Sequence, residues 1–146
     1  MNSSEPQMSE FAIMIVDDDE SDRYVLKRLL KAAGIEAAVV EASDGRSAID
    51  LLNDKESWQE TGATFPPALI LLDINMPRMN GLEFLEEFSK IRKDQFENTS
   101  VLIITSSRDT IDTKAADRFE FVRSYIEKQP RSSAELKAEI ARYLPS

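Results

Sequence analysis

The chain contains neither cysteine nor histidine in its 146 residues. The lack of cysteine removes disulfides and thiolate chemistry, and the two absences together remove zinc centres built on those ligands. Imidazole acid–base catalysis and Ser-His-Asp triads go with them. Long apolar runs are missing too. No stretch approaches the roughly 20 residues of a membrane-spanning helix, and Met1 to Glu10 is polar, without the apolar centre of a secretion signal. A cytoplasmic location and no membrane partner are the expectations. Positive charge is scarce: 18 basic residues face 27 acidic ones, for a net charge of −9. That balance lacks the basic footprint of a nucleic-acid binder, so no direct nucleic-acid partner is expected. Chemistry must therefore rest on Asp, Glu, Lys, Ser, Thr, Tyr or a metal.

What the chain does have is 42% apolar residues, ordinary for a globular protein, and a length suited to one core. Residues 1–10 are expected to form a flexible arm and residues 11–146 one domain. The organising stretch is Ala68-Leu69-Ile70-Leu71-Leu72-Asp73, followed by Ile74-Asn75-Met76-Pro77-Arg78-Met79-Asn80-Gly81. A short unbroken apolar run reads as a strand buried on both faces. The Asn, Pro and Gly that follow say that the chain leaves the sheet after Asp73. Phe11 to Val16 repeats the pattern and ends in Asp17-Asp18-Asp19-Glu20. If the two runs are neighbouring parallel strands, their carboxylates share one crevice, and oxygen-only ligands favour Mg²⁺ there.

The remaining pattern alternates. Ser21 to Ala33 reads as a helix with Val25, Leu26, Leu29, Leu30 and Ala33 at helical spacing and Gly34 as its stop. A weak strand covers Ala37 to Ala42, and Asp44-Gly45 opens a short helix carrying Ala48, Ile49 and Leu52. Lys55 to Pro67 reads as a surface loop, with Trp58 and later Met76 as packing residues. A helix from Gly81 to about Ile91, a polar link from Lys93 to Ser100, and a strand Val101 to Ile104 ending in Thr105 follow. Then come a weakly patterned helix from Asp109 to Arg118, a strand from Phe121 to Glu127 ending at Lys128, and a helix from Ser132 to Leu144 with a Ser132/Glu135 capping box. Strand and helix repeated five times mean an α/β fold: a doubly wound parallel sheet with helices on both faces.

In that frame the strand ends gather Asp17, Asp18, Asp73, Thr105 and Lys128 at the carboxyl edge of one sheet, where open α/β sheets hold their ligands. The set suits phosphoryl transfer, which needs positioning and positive charge more than covalent machinery. A cation held by Asp18 and Asp73 supplies one charge, Lys128 another, Thr105 a hydroxyl, and Asp73 is the natural nucleophile. Taken singly each residue has a plainer reading. Asp17-Asp18 reads equally as a helix start, Asp73 as a turn former, Thr105 as a helix cap, Lys128 as a solvated lysine and Tyr125 as core.

Taken jointly they resemble the receiver domain of bacterial two-component response regulators over Phe11 to Lys128. Ile15-Val16-Asp17-Asp18 resembles the family's acidic pair, and Leu71 to Gly81 its phosphoacceptor loop. Ile104-Thr105-Ser106 resembles the switch-hydroxyl turn, and Tyr125-Ile126-Glu127-Lys128 the switch aromatic and the lysine. The resemblance implies a flavodoxin-like five-stranded sheet of strand order 2-1-3-4-5. It implies that Asp73 accepts a phosphoryl group from the phosphohistidine of a sensor histidine kinase or histidine phosphotransfer protein. Asp17, Asp18, Asp73 and the backbone carbonyl of Asn75 would hold Mg²⁺, Thr105 and Lys128 would bind phosphoryl oxygens, and small Ser106 would leave the partner a path. Thr105 and Tyr125 would then switch the face made by the fourth helix, fifth strand and last helix. Two departures stand out. Gln129 separates Lys128 from Pro130, where the family usually has proline directly, so that turn is expected to differ. Arg118 to Val122 also replaces the common Gly-Ala pair before the fifth strand.

With no output domain expected after Leu144, the implied protein is a single-domain signalling module and not a turnover enzyme. It would act on a downstream protein target or in a phosphorelay, as a monomer or a phosphorylation-dependent dimer. One alternative is a Mg²⁺-dependent phosphohydrolase with an aspartate nucleophile, of the haloacid dehalogenase-like kind. That chemistry wants an acid two residues after the nucleophile; Asp73 has Asn75 there, whereas Asp17 has Asp19. Another is an adaptor on the receiver fold that works without phosphorylation.

Overall fold

The computed structural model describes residues 11–74, 76, 79–105, 113–127 and 132–144. Each apolar run becomes a strand: β1 (Ala12–Val16), β2 (Ala38–Ala42), β3 (Leu69–Asp73), β4 (Ser100–Thr105) and β5 (Val122–Glu127). All pair in parallel in the order β2-β1-β3-β4-β5, as expected. Six helices lie among the described residues: α1 (Glu20–Ala32), α2 (Gly45–Leu52), α3 (Lys55–Gln59), α4 (Gly81–Gln95), α5 (Thr113–Asp117) and α6 (Ser133–Ala141). None is long and apolar enough to cross a membrane.

Alternation along the strands divides the core in two. Met14, Val16, Ile70, Leu72, Val101 and Ile103 face α2, α3, α4 and α5, where Trp58, Phe84, Leu85, Phe88 and Ala116 complete one core. Ile13, Ile15, Leu69, Leu71, Leu102 and Ile104 face α1 and α6, against Leu30, Leu136 and Ile140. Burial on both faces is why these strands read as unbroken apolar runs.

Helix ends follow side-chain chemistry. Asp19 caps α1, accepting from the amides of Ser21 at 2.8 Å and Asp22 at 3.2 Å. Asp44 caps α2 through the Ser47 amide at 2.7 Å. The Ser132/Glu135 capping box forms at the start of α6, and Asn80/Glu83 form another at α4. Gly34 ends α1 with φ +79°, a conformation open to glycine at little cost.

The structure corrects three expectations. Residues 55–67 are not simply a surface loop, because Asp54 caps the short α3. Trp58 in that helix is 0% exposed, its ring nitrogen donating to the carbonyls of Ala63 and Thr64 at 3.1 Å each. Its ring meets Phe65 edge-on at 5.7 Å, and Phe65 meets Phe96 at 5.6 Å. Second, α4 runs on to Gln95, since the buried Phe96 anchors the end of what reads as a polar link. Third, Val25 is 54% exposed, beside Tyr24 at 55%. At about 100° per residue Val25 sits a quarter-turn from the centre of the Leu26–Leu29–Leu30–Ala33 stripe. The weakly patterned helix is α5, its first expected residues, 109–112, lying outside the described set.

Candidate functional site

The site begins with register. Val16 of β1 lies opposite Leu72 of β3, so Asp17 and Asp73 are the next residues on adjacent strands. Asp73 in turn lies opposite Ile104, and Thr105 is one residue further along β4. Thr105 continues the Val101–Ile103 face of β4, and Tyr125 packs against that same core from β5. One edge of the sheet therefore carries an acid from its centre, acids from the strand on one side and a hydroxyl from the strand on the other.

Asp17, Asp18 and Asp73 converge: one carboxylate oxygen from each lies within 4.8 Å of the others. Asp17 and Asp73 are each 4% exposed, whereas Asp18 is exposed. Three carboxylates so close demand positive charge among them, and hard oxygen donors suit a divalent cation such as Mg²⁺. The donor set thus fits the metal expected from the sequence. Thr105 is 1% exposed, its hydroxyl held inside the sheet edge. Asn75, Ser106, Lys128 and the Gln129-Pro130 turn lie outside the described residues.

Tyr125 is half-buried, and its hydroxyl donates to the Asp117 carboxylate at the end of α5. Burial first, and then the Asp117 hydrogen bond and charge, raise its phenol above the usual tyrosine range. Asp117 is a partner that sequence reading did not find, because nothing local links residues eight apart across a helix exit. Two glycines set the loop geometry. A Cβ on Gly81 would lie 2.6 Å from the Ile74 Cα, and one on Gly45 would lie 2.5 Å from the Met79 carbonyl oxygen. The chain after Asp73 thus folds back on itself and on α2 only because both positions lack a side chain.

Sequence reading also passed over Arg23 and Glu41. Arg23, on the first turn of α1, donates from Nη1 to the Asp17 carbonyl at 2.6 Å and from Nε to Glu41 of β2 at 2.8 Å. Lys27 reaches the other Glu41 oxygen at 2.6 Å. The Lys27 hydrogen bond is the largest influence and lowers the Glu41 carboxyl below its ordinary range; burial, the next largest, opposes it, and the Arg23 hydrogen bond adds to the lowering. The available signals were a lone carboxylate in a weak apolar strand and an arginine six residues after Asp17.

A parallel sheet of order 2-1-3-4-5 with acids at its carboxyl edge defines the flavodoxin-like class of doubly wound folds. Within it the chain belongs to the response regulator receiver domain family, whose model matches residues 13–141. Protein PilG of Pseudomonas aeruginosa is 29% identical over 142 residues, covering 97% of this chain and 93% of PilG. The sensor histidine kinase CheAY of Helicobacter pylori is 33% identical over 98 residues, 67% of this chain but only 11% of CheAY. The solved bacteriophytochrome response regulator AtBRR matches with a TM-score of 0.72 at 25% identity, covering 97% of both chains. The family places the chain among the receiver domains of two-component systems.

Proposed function

We propose that this receiver domain takes a phosphoryl group onto Asp73 from a phosphohistidine of a sensor kinase or phosphotransfer protein and signals through protein contact or relay. The observation that carries the reading is the convergence of Asp17, Asp18 and Asp73 at the carboxyl edge of the sheet. A carboxylate oxygen of Asp73 attacks phosphorus as the P–N bond to the donor imidazole breaks; that ring keeps the bond's electron pair and, already protonated on its other nitrogen, leaves with the donor as neutral imidazole. Asp17, Asp18 and Asp73, with the Asn75 carbonyl, would hold Mg²⁺, which when bound supplies positive charge against the carboxylates and the phosphoryl oxygens. Thr105 donates its hydroxyl to a phosphoryl oxygen, and Lys128 gives the second positive charge.

Tyr125 reports the change. Drawing the Thr105 hydroxyl toward the new anion opens space on the face that Tyr125 shares, and the ring moves inward from Asp117. Phosphorylation favours that state only by binding it more tightly than the resting one. The hydrolase alternative is weaker, because Asp19, the acid at the needed offset from Asp17, is engaged as the α1 cap. The domain then serves as a signalling module and not as an enzyme for a separate substrate. Incubation with radiolabelled acetyl phosphate, or a phosphorylated donor, and Mg²⁺ tests the reading. Labelling is expected on the parent and absent from Asp73→Asn; label retained by that variant sinks the assignment.

A further inference from the structure

We propose that Arg23 is a positioning residue for the cation: held by Glu41, it fixes the turn that presents Asp17 and Asp18 to Asp73. The inference rests on the reading of the acidic cluster as a Mg²⁺ site. The geometry comes from where the sheet ends. The Asp17 amide still belongs to the ladder, donating to the Ala42 carbonyl at 3.1 Å. The Asp17 carbonyl instead takes the Arg23 guanidinium at 2.6 Å, a short charge-assisted bond. That carbonyl and the Asp18 amide form one rigid peptide plane. Holding the oxygen therefore sets the plane from which the Asp18 side chain departs.

Both neighbours of this plane are pinned. The Asp17 carboxylate accepts from the Asp19 amide at 2.9 Å, and Asp19 is itself fixed as the α1 cap. Arg23 is only 14% exposed, and its Nε bonds Glu41 at 2.8 Å. Lys27 holds Glu41 from the other side at 2.6 Å. The brace therefore runs from β2 through Glu41 and Arg23 to the acidic turn. Glu41 offsets the guanidinium charge, so the contribution is geometric more than electrostatic. Two bonds in two directions need the planar fork of arginine; a lysine ammonium keeps the charge without that geometry.

Calorimetric titration with Mg²⁺ alone, on unphosphorylated protein, tests the proposal. Groups that orient metal ligands change affinity by about 10–100-fold when removed, so Arg23→Ala and Arg23→Lys are expected to weaken Mg²⁺ by about 10-fold. Glu41→Gln should weaken it less, and Lys27→Ala least. Labelling from acetyl phosphate at saturating Mg²⁺ should return to the parent rate in these variants. General damage to the fold would not produce that split between affinity and maximal rate. If Arg23→Ala fails to fold in thermal melts, Arg23→Lys and Glu41→Gln carry the test. Unchanged Mg²⁺ affinity in those two, with binding lost in Asp18→Asn, overturns the role of Arg23 and leaves the site intact. A parent protein that takes no Mg²⁺ overturns the site reading and the brace together.

Discussion

The two sides of the sheet edge differ in how firmly they are held. In β1 and β3 every residue is buried, and both strands have neighbours on either side. In β5 only Ile126 is buried, the strand pairs with β4 alone, and the register slips at Val101/Leu102. The acids thus stand on the part of the molecule whose opening requires exposing the core. Tyr125 stands on an edge strand, its hydroxyl bonded to Asp117. Local opening is cheapest where few buried apolar contacts must break. On the proposed reading this division is functional: the acceptor must keep its geometry while the reporter changes its own.

The largest expected effect tests that contrast through stability. Leu71, at the centre of β3, is 0% exposed, so Leu71→Ala should cost about 2–5 kcal/mol through lost burial and the cavity left behind. Arg123 of β5 is exposed, its guanidinium 5.7 Å from the centre of the Tyr143 ring. Arg123→Ala should stay within about 0.5 kcal/mol of the parent. Urea unfolding measures both. Equal losses at the two positions would erase the distinction between a rigid acceptor side and a soft reporter side.

The same contrast governs what could be read from the sequence. The acceptor side was legible because burial on both faces writes itself as apolar runs, and the exits write themselves as Asp, Pro and Gly. Asp17, Asp18, Asp73 and Thr105 follow from run ends plus sheet order. The Ser132 helix cap was legible for the same local reason. What stayed hidden depends on distance along the chain. Arg23 and Glu41 meet only because β2 pairs with β1 in one register. Tyr125 and Asp117 meet because α5 ends at Asp117, beside β5. Trp58 reads as a packing residue, but its helix stayed hidden because polar neighbours surround it in sequence; the ring it meets, Phe65, lies later in the same segment and in turn meets Phe96 at the end of α4. Val25 misled in the opposite sense, since a helical repeat marks a stripe without marking its borders.

A smaller effect sharpens the reporter side. Asp117→Ala removes one hydrogen bond at the surface, which should change stability by about 0.5–1.5 kcal/mol at most. Its effect on Tyr125 should be plain. The parent phenol is raised above the ordinary value of 10.0, by burial first and then by Asp117. Phenolate absorbance should therefore show one of the three tyrosines titrating late in the parent and earlier in Asp117→Ala. The raised value favours the neutral phenol in the folded state, so its contribution is complete below about pH 10 and is lost as pH rises toward the folded value. An unchanged titration curve in Asp117→Ala would remove Asp117 as the tether.

The smallest effect lies at the brace behind the acids, and pH reveals it. Glu41 is lowered from an ordinary value of 4.5, chiefly by the Lys27 hydrogen bond with Arg23 adding to it. A depressed carboxyl contributes stability that is present above its unfolded value and is lost as pH falls through its folded one. Because Glu41 is partly solvated, with its side chain 33% exposed, the two pairs together should amount to about 0.2–1 kcal/mol. The stability gap between the parent and Glu41→Gln should thus stay constant from neutral pH down to about 5, then close as the carboxylate protonates. Added salt should narrow the gap at neutral pH, since exposed charges are screened within about 10 Å at 0.1 M. Urea midpoints across that range measure it. A gap that persists in acid would mean that Glu41 acts through packing in β2, and the brace would then rest on Arg23 and the Asp17 carbonyl alone.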